Sequence, residues 1–364
     1  MRRHIAFALA LALSACTPRG AMVVVPPDSV QGTLSTVYVG TSRVLEPTGV
    51  FGPERSEEIN FARYDVAIPP DREIGKVKYG KPGKPNVSTD FLTTNPVLYS
   101  SAGTFRADLR KSLAANGREA VIFVHGYNNT FTEGLYRVAQ LHHDLEVPGV
   151  AVHYSWPSAA EPLGYVYDRD SVMFARDGLH RLIRETIAAG ATEVVLVAHS
   201  MGGFLTMEVL RDIALSDRAT LSRIGGVALL SPDLDVEVFR MQAREIGTLP
   251  QPFVIFGSER DRILRLSALI TGQRGRLGSL DSMDDVADLQ VTYVDVAAFS
   301  TGDGHFVAGT SPALISLLVR IEDVDLAFGA DAASSPGLLP GVILNVRNAT
   351  RIVIRPVSNT GLLR

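Results

Sequence analysis

Val194-Val-Leu-Val-Ala-His-Ser-Met-Gly-Gly203 packs an apolar run, a serine and two glycines into one short segment. A β-branched and aliphatic run this short, closed by small residues, predicts a strand buried on both faces. Gly203 to Ala214 predicts a helix behind it, so Ser200 stands where a strand turns into a helix. The alternation extends both ways. Upstream, Val121-Ile-Phe-Val124 and Val150-Ala-Val152 predict strands. Between and after them, Gly134 to Leu145 and Ser171 to Ala189 predict helices, with Leu135, Val138, Leu141, Val172, Leu179 and Leu182 inward. Downstream, Val227-Ala-Leu-Leu230, Phe253-Val-Ile-Phe256 and Val291-Thr-Tyr-Val294 predict further strands, and Phe306 to Arg320 a final helix. Continuous apolar strands interleaved with helices predict an α/β fold with a mainly parallel central sheet covered on both faces. Before Val121, the runs Thr36 to Val39, Phe61 to Ile68 and Ile74 to Tyr79 predict an antiparallel edge on the same sheet. After Asp323, a Gly/Ala/Ser/Pro stretch leads to a short β-like tail, Gly341 to Pro356.

The chain has 364 residues, room for one large α/β core with additions rather than several typical domains of ~150 residues. Its 46% hydrophobic and 20% charged content is that of a globular protein, and 32 Gly with 20 Pro excludes a collagen-like or largely disordered chain. A net charge of −4 argues against a nucleic-acid partner, which would call for a basic face. The single cysteine, Cys16, excludes a disulfide framework and a thiolate zinc site. No His-Glu-x-x-His or clustered carboxylate–histidine spacing occurs, so neither metal nor cofactor is expected.

Arg2, Arg3 and His4 precede the apolar run Ile5 to Leu13. The pattern predicts a secretory signal over residues 1–15, too short to span a bilayer. Leu13-Ser-Ala-Cys16 is similar to a bacterial lipoprotein processing box, which implies a diacylglyceryl group on Cys16. Thr17 in place of Asp points, by the same resemblance, to the outer membrane facing the periplasm. Several acyl chains would make a stable anchor. Residues 16–33 are then expected to be a lipidated tether, 34–325 the folded domain, and 326–364 a linker with its β-like tail.

Ala198-His-Ser-Met-Gly202 resembles the nucleophile elbow of the α/β-hydrolase superfamily, where small residues flank a serine at a strained turn. Ala198 departs from the usual glycine but is still small. The resemblance implies that Ser200 is a nucleophile and needs a base. His305, in Gly302-Asp-Gly-His305 before the final helix, stands where the superfamily's histidine sits. Asp261 matches the usual acid, with Asp233 or Asp235 as alternatives. His125-Gly-Tyr-Asn128 looks like the superfamily's oxyanion loop, which implies that the backbone amides of Tyr127 and Met201 bind the developing charge. Trp156, in Ser155-Trp-Pro157 at a strand end, is expected to line the substrate pocket, with Tyr165, Tyr167 and Phe204 as further candidates.

These segments, with Thr41-Ser-Arg43, Ile68-Pro-Pro70, Tyr165 to Asp168 and Ser231-Pro-Asp-Leu-Asp235, resemble a bacterial family of esterase-like α/β-hydrolases of unknown function. The resemblance covers roughly residues 36–322. It implies hydrolysis of an ester or related acyl bond on a small-molecule or lipid substrate. Two other readings fit the same chain: a non-catalytic envelope lipoprotein that binds a partner on this scaffold, and a lipase or acyltransferase acting on membrane lipid.

Overall fold

The apolar runs become the centre of one sheet. The computed structural model describes residues 19–272, 275–299, 304–319, 341–346 and 348–354. The expected signal peptide, Cys16 and the 326–340 linker lie outside them. The strands are β1 (Thr33–Leu45), β2 (Phe51–Ile68), β3 (Leu92–Tyr99), β4 (Glu119–Val124), β5 (Val150–Ser155), β6 (Glu193–His199), β7 (Ile224–Leu230), β8 (Phe253–Gly257), β9 (Thr292–Asp295), β10 (Gly341–Val346) and β11 (Ala349–Ile354). The helices are α1 (Ala102–Ala115), α2 (Phe131–Asp144), α3 (Tyr165–Phe174), α4 (Arg176–Ala188), α5 (Met201–Ser216), α6 (Arg218–Leu221), α7 (Val236–Ile246), α8 (Arg262–Thr271), α9 (Val307–Thr310) and α10 (Pro312–Val319).

Among the described residues the sheet order is β10-β11-β9-β8-β7-β6-β4-β5-β1-β2-β3. From β11 to β1 every neighbouring pair is parallel. The pairs β1–β2, β2–β3 and β10–β11 are antiparallel. Order along the sheet reverses beside β4, and ligand crevices form at such a reversal, beyond the strands' carboxyl ends. Core side chains such as Ile122, Val152, Leu196, Leu205, Leu210 and Leu229 are buried between strands and helices.

Several expectations need correction. Ile74 to Tyr79 is loop; the third antiparallel strand is β3, because Gly75 turns there with φ +80°. The predicted 171–189 helix is two, α3 and α4, divided at Ala175. The Ala175 carbonyl is shared there between the Tyr154 hydroxyl, which donates at 2.7 Å, and Leu179 N–H at 3.2 Å. The predicted final helix also divides, at Ser311, because Pro312 excludes the helical conformation from the residue before it.

Residues 19–33 are not a free tether. Val25 N–H donates to Thr93 O and Thr93 N–H to Val23 O, and Val23 packs with Ala67 and Leu92. The β-like tail likewise belongs to the folded domain, since β11 pairs with β9. Ile352 and Ile354 are buried there with Val294, Val296 and Leu314, which extends the domain beyond the expected end at 325. Burial on that scale makes the tail structural: Ile352→Ala lowers the unfolding free energy by about 2–5 kcal/mol, read from a urea denaturation curve.

Candidate active site

The strand–helix junction at β6 and α5 dictates an unusual backbone. Ser200 takes φ 52°, ψ −123°, outside the regions L-residues prefer and costing of order 1–3 kcal/mol. Neighbours hold it there. Ser200 N–H donates to Leu230 O at 2.9 Å, while Asp233 N–H and Gly203 N–H donate to Ser200 O at 3.1 and 2.9 Å. The loop after β4 presses against the turn. A Cβ on Gly202 would lie 2.4 Å from His125 O, and one on Gly126 would lie 2.9 Å from Ser200 Cβ. Glycine at these two positions is therefore a condition of the contact, and the small Ala198 is fully buried.

His305 and Asp261 meet across the loops that follow β9 and β8. His305 Nδ1 lies 2.8 Å from Asp261 Oδ2, with Asp261 fully buried and His305 partly so. A carboxylate accepts, so in this bond Nδ1 is the donor. The second Asp261 oxygen accepts from Leu264 N–H at 3.0 Å and caps α8. The His305 ring sits 4.9 Å from that of His199, the residue before Ser200. Burial, then the neighbouring His305, holds His199 well below the usual histidine range, so it forms a neutral wall.

The rival acids are engaged elsewhere. Asp233 pairs with Arg276 Nε at 3.1 Å and accepts from Tyr165 Oη and Ser267 Oγ. Asp235 caps α7 through Glu237 N–H and Val238 N–H.

The 125–130 loop is held by a buried polar network. Asp168 accepts from Asn128 N–H at 3.1 Å, Ala159 N–H at 2.7 Å and Ser158 Oγ at 2.6 Å. Arg43 donates to Asn129 O, Gly52 O, Ser158 O and Ser155 Oγ. Strand register shifts on both sides of Arg43, and such bulges re-aim a side chain. Burial, opposed by Asp168, pushes the Arg43 guanidinium down to about 10. Burial likewise raises the Asp168 carboxyl despite its hydrogen bonds. Arg19 adds an outer clasp, donating to Asn128 O at 2.7 Å and Asn128 Oδ1 at 3.0 Å. Among the described residues, neither the Tyr127 nor the Met201 amide donates to a backbone acceptor. Sequence reasoning missed the work of Arg43 and Asp168; their only signal was membership of motifs quoted for the family resemblance.

Trp156 is a correction. It is fully buried, its indole stacks on His125 at 4.7 Å and its Nε1 donates to His125 O at 2.7 Å. Its contacts support the loop. Tyr167 is also elsewhere, with Arg55 4.3 Å above its ring. A small cavity of about 40 Å³ is lined instead by Tyr165, Arg169, Met201, Phe204, Asp233 and Arg276, among others.

A parallel sheet flanked by helices, with a strained serine between β6 and α5, defines an α/β-hydrolase. Residues 101–320 match the family model described as alpha/beta hydrolase of unknown function (DUF900), and the chain belongs to that family. No curated protein sequence matches it. Among solved structures it is similar to lipase B of Aspergillus fumigatus, at 16% identity over 61% of this chain and 57% of that one, TM-score 0.38. It is also similar to esterase B of Lactobacillus rhamnosis, at 17% identity over 49% of this chain and 63% of that one, TM-score 0.30. A predicted CIB-like hydrolase from Thermoplasma acidophilum is 14% identical over 79% and 97%, TM-score 0.35. The chain thus spans less than two thirds of the first two structures.

Arg43→Met leaves the Asp168 carboxylate buried without its counter-charge and removes four donors to the loop region. The expected loss is about 3–5 kcal/mol of unfolding free energy, and Arg43→Met/Asp168→Asn recovers part of it in a double-mutant cycle read by urea denaturation.

Proposed function

We propose that the protein is a serine hydrolase that cleaves an ester or related acyl bond through an acyl-enzyme. The observation that carries the reading is the Asp261–His305 hydrogen bond at 2.8 Å, beside the strained Ser200 turn. Ser200 Oγ attacks the carbonyl carbon as His305 Nε2 takes its proton. Asp261 holds the imidazole tautomer and stabilises the imidazolium that forms. The Tyr127 and Met201 amides bind the developing oxyanion, each worth about 3–4 kcal/mol in the transition state. His305 returns the proton to the leaving group, and water, activated by the same histidine, releases the acyl chain. That neither the Tyr127 nor the Met201 amide donates to a backbone acceptor among the described residues supports this assignment, since a donor already satisfied has nothing to offer the oxyanion.

The protein acts, on this reading, in the cell envelope, with Cys16 lipidated and the chain held at the outer membrane facing the periplasm. A lipid-free amino terminus in mass spectra of the mature protein would rule the anchor out.

A fluorophosphonate probe labels wild type at Ser200. Ser200→Ala abolishes labelling and lowers turnover of a short p-nitrophenyl ester by ~10⁶ with the melting curve unchanged; wild-type turnover in that variant refutes the reading. Asp261→Asn lowers kcat by ~10⁴ by releasing the tautomer, whereas Asp233→Asn keeps most of the rate. A reversal of that order in steady-state kinetics would move the acid to Asp233.

A further inference from the structure

Helix α8 wears its apolar side chains outward. Leu264 and Ser267 face the core, while Leu266, Leu269 and Ile270 are 52%, 78% and 58% exposed. Arg262 and Arg265 lie on the same outer face at helical spacing and are exposed. Across the cleft, Leu163 is 96% and Val166 71% exposed. The two patches are joined. Tyr165, between Leu163 and Val166 in sequence, hydrogen-bonds Ser267 Oγ at 2.8 Å and lines the cavity that Met201 also lines. Scattered exposed leucines need no explanation, but a contiguous apolar rim does.

Its surroundings indicate what covers it. An apolar stripe with arginines at one end is the pattern of a helix that lies in a lipid–water interface, its cations meeting anionic headgroups. The neighbouring acids Glu161, Asp170 and Glu259 lie outside the α8 stripe. The amino-terminal chain leaves from the same side. Arg19, the first described residue, is bonded to Asn128, and the adjacent Tyr127 hydroxyl donates to Pro162 O at 2.6 Å, next to Leu163. Eighteen residues precede Arg19, among them the apolar run Ile5–Leu13 and Cys16. The three residues from Cys16 to Arg19 reach at most about 10 Å, so an anchor at Cys16 draws this rim toward the bilayer.

We propose that Leu163, Val166, Leu266, Leu269 and Ile270, with Arg262 and Arg265, form a docking surface for an anionic phospholipid bilayer. It presents the Ser200 cleft to acyl lipids held in that surface; this second part rests on the serine-hydrolase reading.

The test uses the mature chain from residue 16 carrying Cys16→Ser, so that neither the apolar run Ile5–Leu13 nor an acyl anchor masks the rim. Flotation with phosphatidylglycerol–phosphatidylcholine vesicles is compared between this protein and the same protein with Leu266→Gln, Leu269→Gln and Ile270→Gln. The expected result is a fall in partition coefficient of about tenfold or more, with circular dichroism and melting unchanged because all three side chains are at the surface. Arg262→Gln with Arg265→Gln weakens binding to the anionic vesicles and leaves binding to pure phosphatidylcholine unaltered. Partitioning that ignores the triple substitution overturns the proposal. So does concentration-dependent dimerisation that the triple substitution abolishes, since a second copy would then cover the rim. Loss of probe labelling with rim-dependent flotation intact refutes the hydrolase reading and leaves the docking surface standing. Labelling retained without rim-dependent flotation does the reverse.

Discussion

The contact between two glycines and two backbones governs the site. Gly202 leaves the first turn of α5 free to approach His125 O, and Gly126 leaves the loop after β4 free to approach Ser200. Both approaches are closer than any Cβ permits. They press one loop against the turn that holds Ser200 at φ 52° between a strand and a helix. Strain of that kind persists only where surroundings over-determine it. Here the surroundings are three backbone hydrogen bonds from β7, the loop after it and the head of α5. The sheet supplies stiffness and the glycines supply proximity.

Proximity alone would leave the loop free to choose among conformations, and the Arg43–Asp168 network narrows the choice. A buried charge pair is expensive to assemble, because desolvation opposes the Coulomb gain. Burial moves both groups toward their neutral forms. Hydrophobic side chains of the same volume would fill the space at less cost. They would not supply acceptors for Asn128 N–H and Ala159 N–H, nor donors for Asn129 O. Those bonds fix the direction in which the loop's remaining amides point. The stability given up to bury charge is thus returned as a defined backbone, in keeping with polar networks that specify one arrangement.

The central strands were legible because each is a continuous apolar run, a pattern with few competing interpretations. His305 and Asp261 were singled out by resemblance, since the residues stand after strands in the expected chain order; their hydrogen bond could come only from coordinates. What failed did so for local reasons. Ala175 is a good helix residue, and nothing in its neighbourhood announces that the Tyr154 hydroxyl will reach its carbonyl from β5. Trp156 reads as a pocket residue because aromatic side chains at strand ends gather ligands, yet its indole is spent on His125. Arg43 lies beyond the run Thr36 to Val39 read as a strand, and the register shifts on both sides of it accompany its burial. Pattern reading assigns faces to strands by alternation, so any break in register defeats it.

Asp261 joins the two halves of the molecule's chemistry through one carboxylate. One oxygen faces His305 and the other caps the first turn of α8, the helix whose outer face carries Leu266, Leu269 and Ile270. A shift of that first turn would cost Asp261 its bond to Leu264 N–H and swing the acceptor that orients the imidazole. A rigid tie of this sort makes the rim and the base one mechanical unit. Any displacement of α8 as a whole is therefore felt at the imidazole.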